Sequence, residues 1–343
     1  MQGLASQQVA TRRFSPGLKT RIAPALAVVL GVLGLVGVLW QAFGAGFGEK
    51  GNVPTFILIT LNGLSLAGLY FISASGLTLI FGLLRVTNLA HGALFLFGGY
   101  IALTLINDGL PWVPAALVGM VASGLVGLVM HQLFLRWNQG QDLRQALITI
   151  AVSLILADQM LAHFGGTPAA IAPPDFLATP VKLGVYDLAY PAFRLAMLVA
   201  AILVGLAFWV VFKRTRVGMV VRAGVDDSAM TSALGVNVQL VFAGAFFVGS
   251  ALAGLGGVFA GTALSLAPGQ DQSFLVSALV VVILGGMGSL EGAALGALLL
   301  GLVDQYSSAY LPAEYSNLSA LLTFVLLAVI LAVRPTGLFG KAR

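Results

Sequence analysis

Charged residues are scarce in this chain of 343 residues: only 8% of them are charged, whereas 59% are hydrophobic. Soluble domains carry about 25% charged residues, so the composition excludes an ordinary water-soluble protein and indicates an integral membrane protein. Cysteine is absent, which excludes disulfide bonds and thiolate metal sites. The phosphate-binding motif G-x-x-x-x-G-K-[ST] is also missing, because Gly340-Lys341 is followed by Ala342. The chain therefore lacks this motif for holding ATP.

Long apolar runs recur along the chain and predict an all-α integral membrane protein, a polytopic helical bundle of about ten membrane spans. The predicted spans are residues 22–43, 55–75, 92–107, 112–133, 146–164, 194–212, 239–261, 274–287, 292–310 and 318–333. Residues 1–21 form a basic N-terminal extension before the extra first span 22–43. A cleaved signal peptide is the alternative reading of that span, although its apolar run is long for one.

The distribution of Lys and Arg predicts the orientation. If the N-terminus is cytosolic and the spans alternate, fourteen of the 17 Lys and Arg residues fall on the cytosolic side. The three others are Lys50, Lys182 and Arg194. Positive charge accumulates on the cytosolic side of membrane proteins, so both termini are expected there. The proline-rich loop 165–193, which is not expected to form one helix, then lies outside.

The loop 213–237 is the longest polar, basic interruption of the apolar sequence, and the orientation places it in the cytosol. Asp226 or Asp227 can cap a short helix that ends at Gly235. Ala229, Met230, Ala233 and Leu234 share one face of that helix. A helix of about two turns is unstable alone in water, so it must pack on its own bundle or on a separate cytosolic subunit. The second interpretation is favoured.

Two apolar segments carry polar or glycine interruptions and are predicted to be broken or re-entrant, near residues 76–92 and 284–292. The first contains Arg85, Asn88, His91 and Gly92, and Asn88 is a potential cap for a helix that begins at Leu89. An ordinary cytosolic turn is the alternative. The second contains Gly286, Gly288 and the potential cap Ser289. Paired broken segments are typical of transporter cores, so these residues are candidates for a substrate path.

Asp158 and Asp304 lie inside predicted spans. Charged residues at membrane depth are costly, so both are expected to face the interior of the bundle. Each can be a functional carboxylate or a buried carboxyl group hydrogen-bonded to a neighbouring helix.

These motifs together resemble the permease subunits of branched-chain amino-acid ABC importers. The matching segments are Gly76-Leu-Thr-Leu-Ile-Phe-Gly82, Asn88-Leu-Ala-His-Gly92, Arg222-Ala through Asp226-Asp227 to Leu234-Gly-Val-Asn237, and Leu284-Gly-Gly-Met-Gly-Ser289 with Gly292 and Gly296. The resemblance covers about residues 55–335, the predicted permease domain. Asp226 stands where Glu is frequent in the family, and the N-terminal extension and first span are additions.

The resemblance implies a bacterial inner-membrane importer with no enzymatic activity and no cofactor in this chain. Two permeases, two cytosolic ATP-binding subunits and an external substrate-binding protein would act together. Arg222, Asp226, Asp227, Met230, Leu234 and Gly235 would then belong to the ATPase-coupling loop. Urea, amides or aromatic acids are alternative substrates. A proton-coupled secondary transporter using Asp158 or Asp304, or a passive channel for small solutes, is the alternative of another class, and neither needs a cytosolic docking helix.

Overall fold

A computed structural model describes residues 53–184, 188–311 and 318–340, together with the single positions Gly37 and Gly44. The predicted extension 1–21 and, except for Gly37, the predicted first span 22–43 lie outside these residues. The described part of the chain forms eleven α-helices. In chain order they are α1 (Val53–Leu84), α2 (His91–Asn107), α3 (Trp112–Met130), α4 (Asp142–Phe164), α5 (Ala192–Arg214), α6 (Arg216–Asp226), α7 (Ser228–Ala233), α8 (Val238–Ala263), α9 (Gln270–Gly285), α10 (Leu290–Tyr310) and α11 (Leu318–Val333).

Irregular structure is confined to the connections. Helix α3 continues into a π-helix, His131–Leu135, and a 3-10 turn, Arg136–Asn138. The loop between α4 and α5 contains the 3-10 helix Asp175–Leu177 and an antiparallel ribbon of β1 (Val181–Lys182) and β2 (Ala189–Tyr190), in which Val181 pairs with Tyr190. This loop does not form one helix, in agreement with its prolines.

Five helical segments among the described residues are long and apolar enough to cross a membrane, rather than the predicted ten. They are Val53–Leu84, Trp112–Asn138, Asp142–Phe164, Ala192–Arg214 and Val238–Ala263. Three further apolar helices, His91–Asn107, Gln270–Gly285 and Ala320–Val333, are shorter. The 21-residue α10 corresponds to the predicted span 292–310. The helical class is confirmed, but the number of ten spans is not.

The centre of the bundle is formed by α1, α2, α3 and α8, whose backbones approach closely through glycine. A Cβ atom on Gly76 of α1 would collide with the carbonyl oxygen of Gly249 of α8, and one on Gly98 of α2 would lie 2.7 Å from Oγ of Ser123 of α3. Leu94 and Phe95 of α2 are fully buried between these helices. Small residues at such crossings allow close van der Waals packing between membrane helices.

The first predicted break is placed differently in the structure. Helix α1 continues unbroken through Gly76 to Leu84, so the interruption is limited to residues 85–90. Gly76 is a helix-packing residue here, because its missing side chain admits the α8 backbone. Arg85 ends α1 with a φ of 55°, and its N–H donates to the carbonyl of Phe81.

Contacts between non-adjacent elements define two ends of the bundle. At one end Gln139 hydrogen-bonds Gln239 and Lys213 pairs with Glu291. We call this the basic end, because Arg85, Arg136, Arg144, Lys213, Arg214, Arg216, Arg222 and Arg334 lie on the connections there. At the other end, which we call the loop end, Ala169 pairs with Leu266 and Tyr190 bonds to Asn62.

The glycine packing around α8 predicts a contrast between two positions of the same helix. In Gly257→Ala the new methyl group would collide with the carbonyl of Phe95, whereas nothing lies within 4 Å of a Cβ on Gly244. Overpacking typically costs about 1–3 kcal/mol. We expect Gly257→Ala to lower the midpoint of thermal unfolding in detergent, measured by fluorescence-detected chromatography, and Gly244→Ala to leave it unchanged. Equal midpoints for the two variants would contradict this packing.

Candidate functional site

The loop 213–237 at the basic end folds as two helices rather than the single short helix that was predicted. The hydroxyl of Thr215 caps α6 by accepting from the N–H of Gly218 at 3.3 Å. The carboxylate of Asp227 caps α7 by accepting from the N–H of Met230 at 2.9 Å. Asp226 is the last residue of α6 and not the cap. Gly235 follows α7 with a φ of 86°, the left-handed conformation that was predicted there.

Helix α6 is held against the end of α5 by polar contacts to carbonyls that have no partner within α5. The guanidinium of Arg222 donates to the carbonyl oxygen of Phe212, and the hydroxyl of Thr215 donates to that of Val211 at 2.7 Å. The last carbonyls of a helix need such external donors. Arg222 thus fixes the direction of α6, a role that its sequence position did not reveal.

At α7 and the residue that follows it, apolar side chains project away from the rest of the described bundle. Thr231 is buried, but Met230 is 60% exposed and Leu234 is 76% exposed. Val217 and Met219 of α6 are also exposed. Such a set of apolar side chains on a polar, basic segment is the kind of surface that marks a protein interaction site.

The second predicted break lies between α9 and α10 at the basic end. Gly286 and Gly288 have φ values of 99° and 84°, which few other residues adopt without strain. The hydroxyl of Ser289 then caps α10 by accepting from the N–H of Gly292 at 3.1 Å. A Cβ on Gly288 would lie 3.1 Å from the Cα of Gly82 in α1. The break therefore packs against the last turn of α1.

The segment after α11 is hydrogen-bonded to this break. The N–H groups of Leu338 and Phe339 donate to the carbonyls of Leu284 and Gly285 at 2.8 Å and 2.9 Å. The guanidinium of Arg334 donates to the carbonyl of Leu338 at 3.0 Å and holds the turn that directs the segment back. Two N–H donors from a distant part of the sequence thus complete the basic end of α9, and Arg334 holds the turn that brings them there.

The predicted path residues of the first break are buried within this chain. Asn88 and His91 are both 0% exposed. The Asn88 side chain accepts from the N–H of Ala90 at 3.1 Å but does not cap the helix, which begins at His91 instead of Leu89. Nε2 of His91 contacts the carbonyl of Ser73 at 2.9 Å. A Cβ on Gly92 would collide with the carbonyl of Asp271 in α9.

The two sides of the bundle differ in the chemistry that they expose. On α3, α4 and α5 the exposed residues along the spans are mainly large and apolar. They include Leu117, Val121, Leu125, Val129, Leu147, Ile150, Leu154, Ile155, Val199, Ile202, Leu203 and Leu206. This composition suits contact with lipid chains.

Helices α9 and α10 expose the apolar Val276, Leu295 and Leu298 and, in addition, polar residues near the loop end, which we call the polar strip. Ser273 and Ser277 are four residues apart on α9, and Asp304 and Ser308 are four apart on α10, so each pair shares a helix face. Ser273 and Ser308 are exposed, whereas Ser277 and Asp304 are half-buried. Polar side chains on apolar helices are satisfied by protein or water and not by lipid chains. The strip can therefore bind water or a polar solute.

Tyr70 of α1 connects the two halves of this strip. Its buried hydroxyl donates to Oδ2 of Asp304 at 2.8 Å, and the Ser277 side chain lies close to it. Asp304 precedes the end of α10 by six residues, about 9 Å along the helix. The Asp304 carboxylate is thus half-buried and contacts α1 through Tyr70. Asp158 does not face the interior of this chain; it is exposed on α4.

The profile of the family described as the branched-chain amino acid transport system permease component matches residues 59–333. The chain belongs to this permease family. The match falls within the predicted permease domain 55–335. Members of the family are transport components, so the chain is not an enzyme.

Individual relatives agree with this family. The permease is 28% identical over 306 residues to the high-affinity branched-chain amino acid permease protein LivH of Escherichia coli K12, covering 83% of this chain and 96% of the relative. It is 28% identical over 295 residues to BraD of Pseudomonas aeruginosa, covering 82% and 94%. The ribose import permease protein RbsC of Haemophilus influenzae is 23% identical over 271 residues, covering 76% and 80%.

A structural comparison finds PsaBC from Streptococcus pneumoniae in complex with Fab, with a TM-score of 0.48 and 13% sequence identity. The alignment covers 80% of the permease and 91% of that chain.

Sequence reasoning identified Asp304 but missed its partner Tyr70 and the nearby Ser277. The i, i+4 spacing of Ser273 with Ser277, and of Asp304 with Ser308, was the available signal. Tyr70 carried no comparable signal, because nothing in the sequence of the long apolar helix α1 distinguishes it from the other polar residues of that helix. Its role depends on which face of α1 meets α10.

The contrast between the polar strip and the apolar side predicts different reactivity of introduced cysteines. The permease has no cysteine of its own, so single variants give an unambiguous signal. Ser273→Cys should react with a charged, membrane-impermeant thiol reagent in reconstituted complex, because water reaches the strip and thiolate forms there. Leu203→Cys, which is also exposed in the chain but lies on the apolar side, should not react. Equal labelling of both would contradict the assignment of the two sides.

Proposed function

We propose that this permease forms the membrane path of an ATP-driven importer of branched-chain amino acids, and that separate subunits bind and hydrolyse the ATP. The observation that carries the proposal is the exposure of Met230 of α7 and of Leu234, which directly follows α7, at the basic end. Membership of the permease family supports the same function. A secondary transporter or a channel would not need this surface, and Asp158, one of the two carboxylates available for proton coupling, is exposed on α4.

The coupling segment is proposed to be α6 and α7, with Arg222, Asp226, Asp227, Met230, Leu234 and Gly235. Arg222 holds α6 on α5, so a force on α7 can reach the membrane helices through a short, hydrogen-bonded connection. Complete burial of a Met or Leu side chain stabilises by about 1.5–3 kcal/mol. Insertion of Met230 and Leu234 into a cleft of an ATPase subunit would therefore supply a useful part of the docking free energy.

A second permease subunit is proposed to cover the polar strip of α9 and α10. Lipid cannot hydrogen-bond Ser273, Asp304 or Ser308, whereas a water-filled path between two permeases can. The apolar side formed by α3, α4 and α5 would then remain in contact with lipid. An external substrate-binding protein is proposed to deliver the solute at the loop end, where the ribbon of β1 and β2 lies.

The residues of the two breaks are proposed to border the path at the basic end. Gly286, Gly288 and Ser289 would form its edge, where positive φ lets the backbone turn without the strain that a side chain imposes. Asn88, His91 and Gly92 are buried in this conformation, so they can meet solute only when the connection of α1 and α2 separates from α9 during transport. Buried polar groups without a full set of partners make such a separation less costly.

The orientation and location are proposed from charge. The basic end carries most of the Lys and Arg residues, so it is proposed to face the cytosol of a bacterial inner membrane, with both termini on that side. The substrate is proposed to be a branched-chain amino acid rather than urea, an amide or an aromatic acid, because LivH and BraD carry that description at higher identity than the ribose permease.

The docking role of α7 predicts the effect of a charged double variant. Met230→Asp combined with Leu234→Asp would bury unpaired carboxylates in the ATPase cleft, which costs several kcal/mol. We expect the ATPase subunit to be lost from affinity-purified permease by more than about tenfold, while the permease still inserts in the membrane. Phe176→Asp, at an equally exposed position of the loop end, is the matched control and should retain the ATPase. Retention by the double variant would overturn the docking role.

The orientation predicts opposite accessibility of two exposed positions. Thr167→Cys in the loop between α4 and α5 should be labelled by an impermeant thiol reagent added to spheroplasts. Met219→Cys on α6 should be labelled only after the membrane is permeabilised. Labelling of Met219→Cys alone in sealed spheroplasts would show the reverse orientation.

A further inference from the structure

We infer that the carboxylate of Asp304, held by Tyr70, binds the positively charged α-ammonium group of the amino-acid solute as it passes the polar strip. This inference rests on the proposed function, since it names the chemical group of the substrate that the path recognises. It assigns a binding role to three residues: Asp304 of α10, Ser277 of α9 and Tyr70 of α1.

The hydrogen bonds that these side chains already make determine which kind of ligand group they can bind. The Ser277 hydroxyl donates its proton to the carbonyl of Ser273 at 2.9 Å, so it offers lone pairs to a ligand. Asp304 has accepted one hydrogen bond from Tyr70 and, among the described residues, no second donor bonds to it. An ionised carboxylate can accept about four hydrogen bonds. The site therefore presents acceptors, and an ammonium group, which has three donors and no acceptor, complements it.

The charge of the site also favours an ammonium group as the ligand. No Lys, Arg or His forms a salt bridge with Asp304 within residues 53–184, 188–311 and 318–340. An unpaired carboxylate at membrane depth is unfavourable and attracts a mobile cation. Tyr70 stabilises and orients the carboxylate, but it supplies no positive charge. A solute ammonium group would complete the pair for the time that it remains at the strip.

The position of Asp304 distinguishes it from the other carboxylates of the apolar helices. Asp271 is buried at the start of α9 beside Gly92 and cannot meet solute without a rearrangement. Asp158 lies on the apolar side of the bundle. Asp304 is half-buried and shares a helix face with the exposed Ser308. The apolar side chain of a branched-chain amino acid can contact Val276, which is exposed next to Ser277.

The first test measures transport by the complete importer, with its partner permease, ATPases and binding protein, in proteoliposomes. Asp304→Asn should lower the rate of leucine uptake by about 10- to 100-fold, the factor expected for loss of a hydrogen bond to a charged group. The stoichiometry of the purified complex should not change. Asp304→Glu should restore part of the rate, because it keeps the charge. Asp158→Asn, which removes a carboxylate from the apolar side, should transport at the native rate.

The second test measures binding without transport. In a Ser273→Cys variant with native Asp304, leucinol, which has the ammonium group but no carboxylate, should slow labelling by a charged thiol reagent. 4-Methylpentanoate, which has the carboxylate but no ammonium group, should not. This comparison remains informative even if Asp304→Asn fails to assemble. Tyr70→Phe should weaken the protection, because the carboxylate loses its fixed orientation.

The outcomes separate the two levels of the proposal. Absence of ATP-dependent leucine uptake by the native complex would refute the proposed function itself. Native uptake together with unchanged transport by an assembled Asp304→Asn complex would overturn the ammonium site alone. Equal protection of Ser273→Cys by leucinol and 4-methylpentanoate would also overturn it, because the strip would then not distinguish the ammonium group.

Discussion

The structure depends on the close approach of α8 to α1, α2 and α3. Glycines at these crossings bring carbonyl oxygens and backbones to distances that a single methyl group would prevent, as at Gly76, Gly249 and Gly257. In a membrane there is little hydrophobic driving force between helices, so this van der Waals contact is a main source of stability. Because these contacts hold the centre of the bundle together, the outer helices can differ in the side chains that they expose.

That difference organises the proposed mechanism. Helices α3, α4 and α5 present apolar residues suited to lipid, whereas α9 and α10 present hydroxyls and the Asp304 carboxylate. The proposed coupling segment is attached to the end of α5 through Arg222, and Lys213 of that same end pairs with Glu291 at the start of α10. An ATPase bound at α7 would therefore act on the polar strip through elements already joined at the basic end.

Local signals were predictable from the sequence, and signals that depend on tertiary packing were not. Asp227, Gly235 and Ser289 were identified because a cap or a left-handed stop is determined by a few neighbouring residues. The segment 76–92 was interpreted as broken because Arg85, Asn88 and His91 interrupt it, yet α1 continues through Gly76, which packs on α8, to Leu84. Asn88 lies before a helix but bonds to Ala90 without capping it. The orientations of Asp158 and Tyr70 could not be predicted, because helical periodicity alone does not reveal which face of a helix meets a neighbour.

The hydrogen bonds from Leu338 and Phe339 to the end of α9 bear on how the protein is made. Helices α9 and α10 leave the ribosome before the residues that complete the carbonyls of Leu284 and Gly285. Those carbonyls must rely on water until α11 has been inserted and the following turn has folded back. Assembly of this end of the bundle is thus a late step of biogenesis, and truncation at Arg334 would leave it unfinished in an otherwise inserted chain.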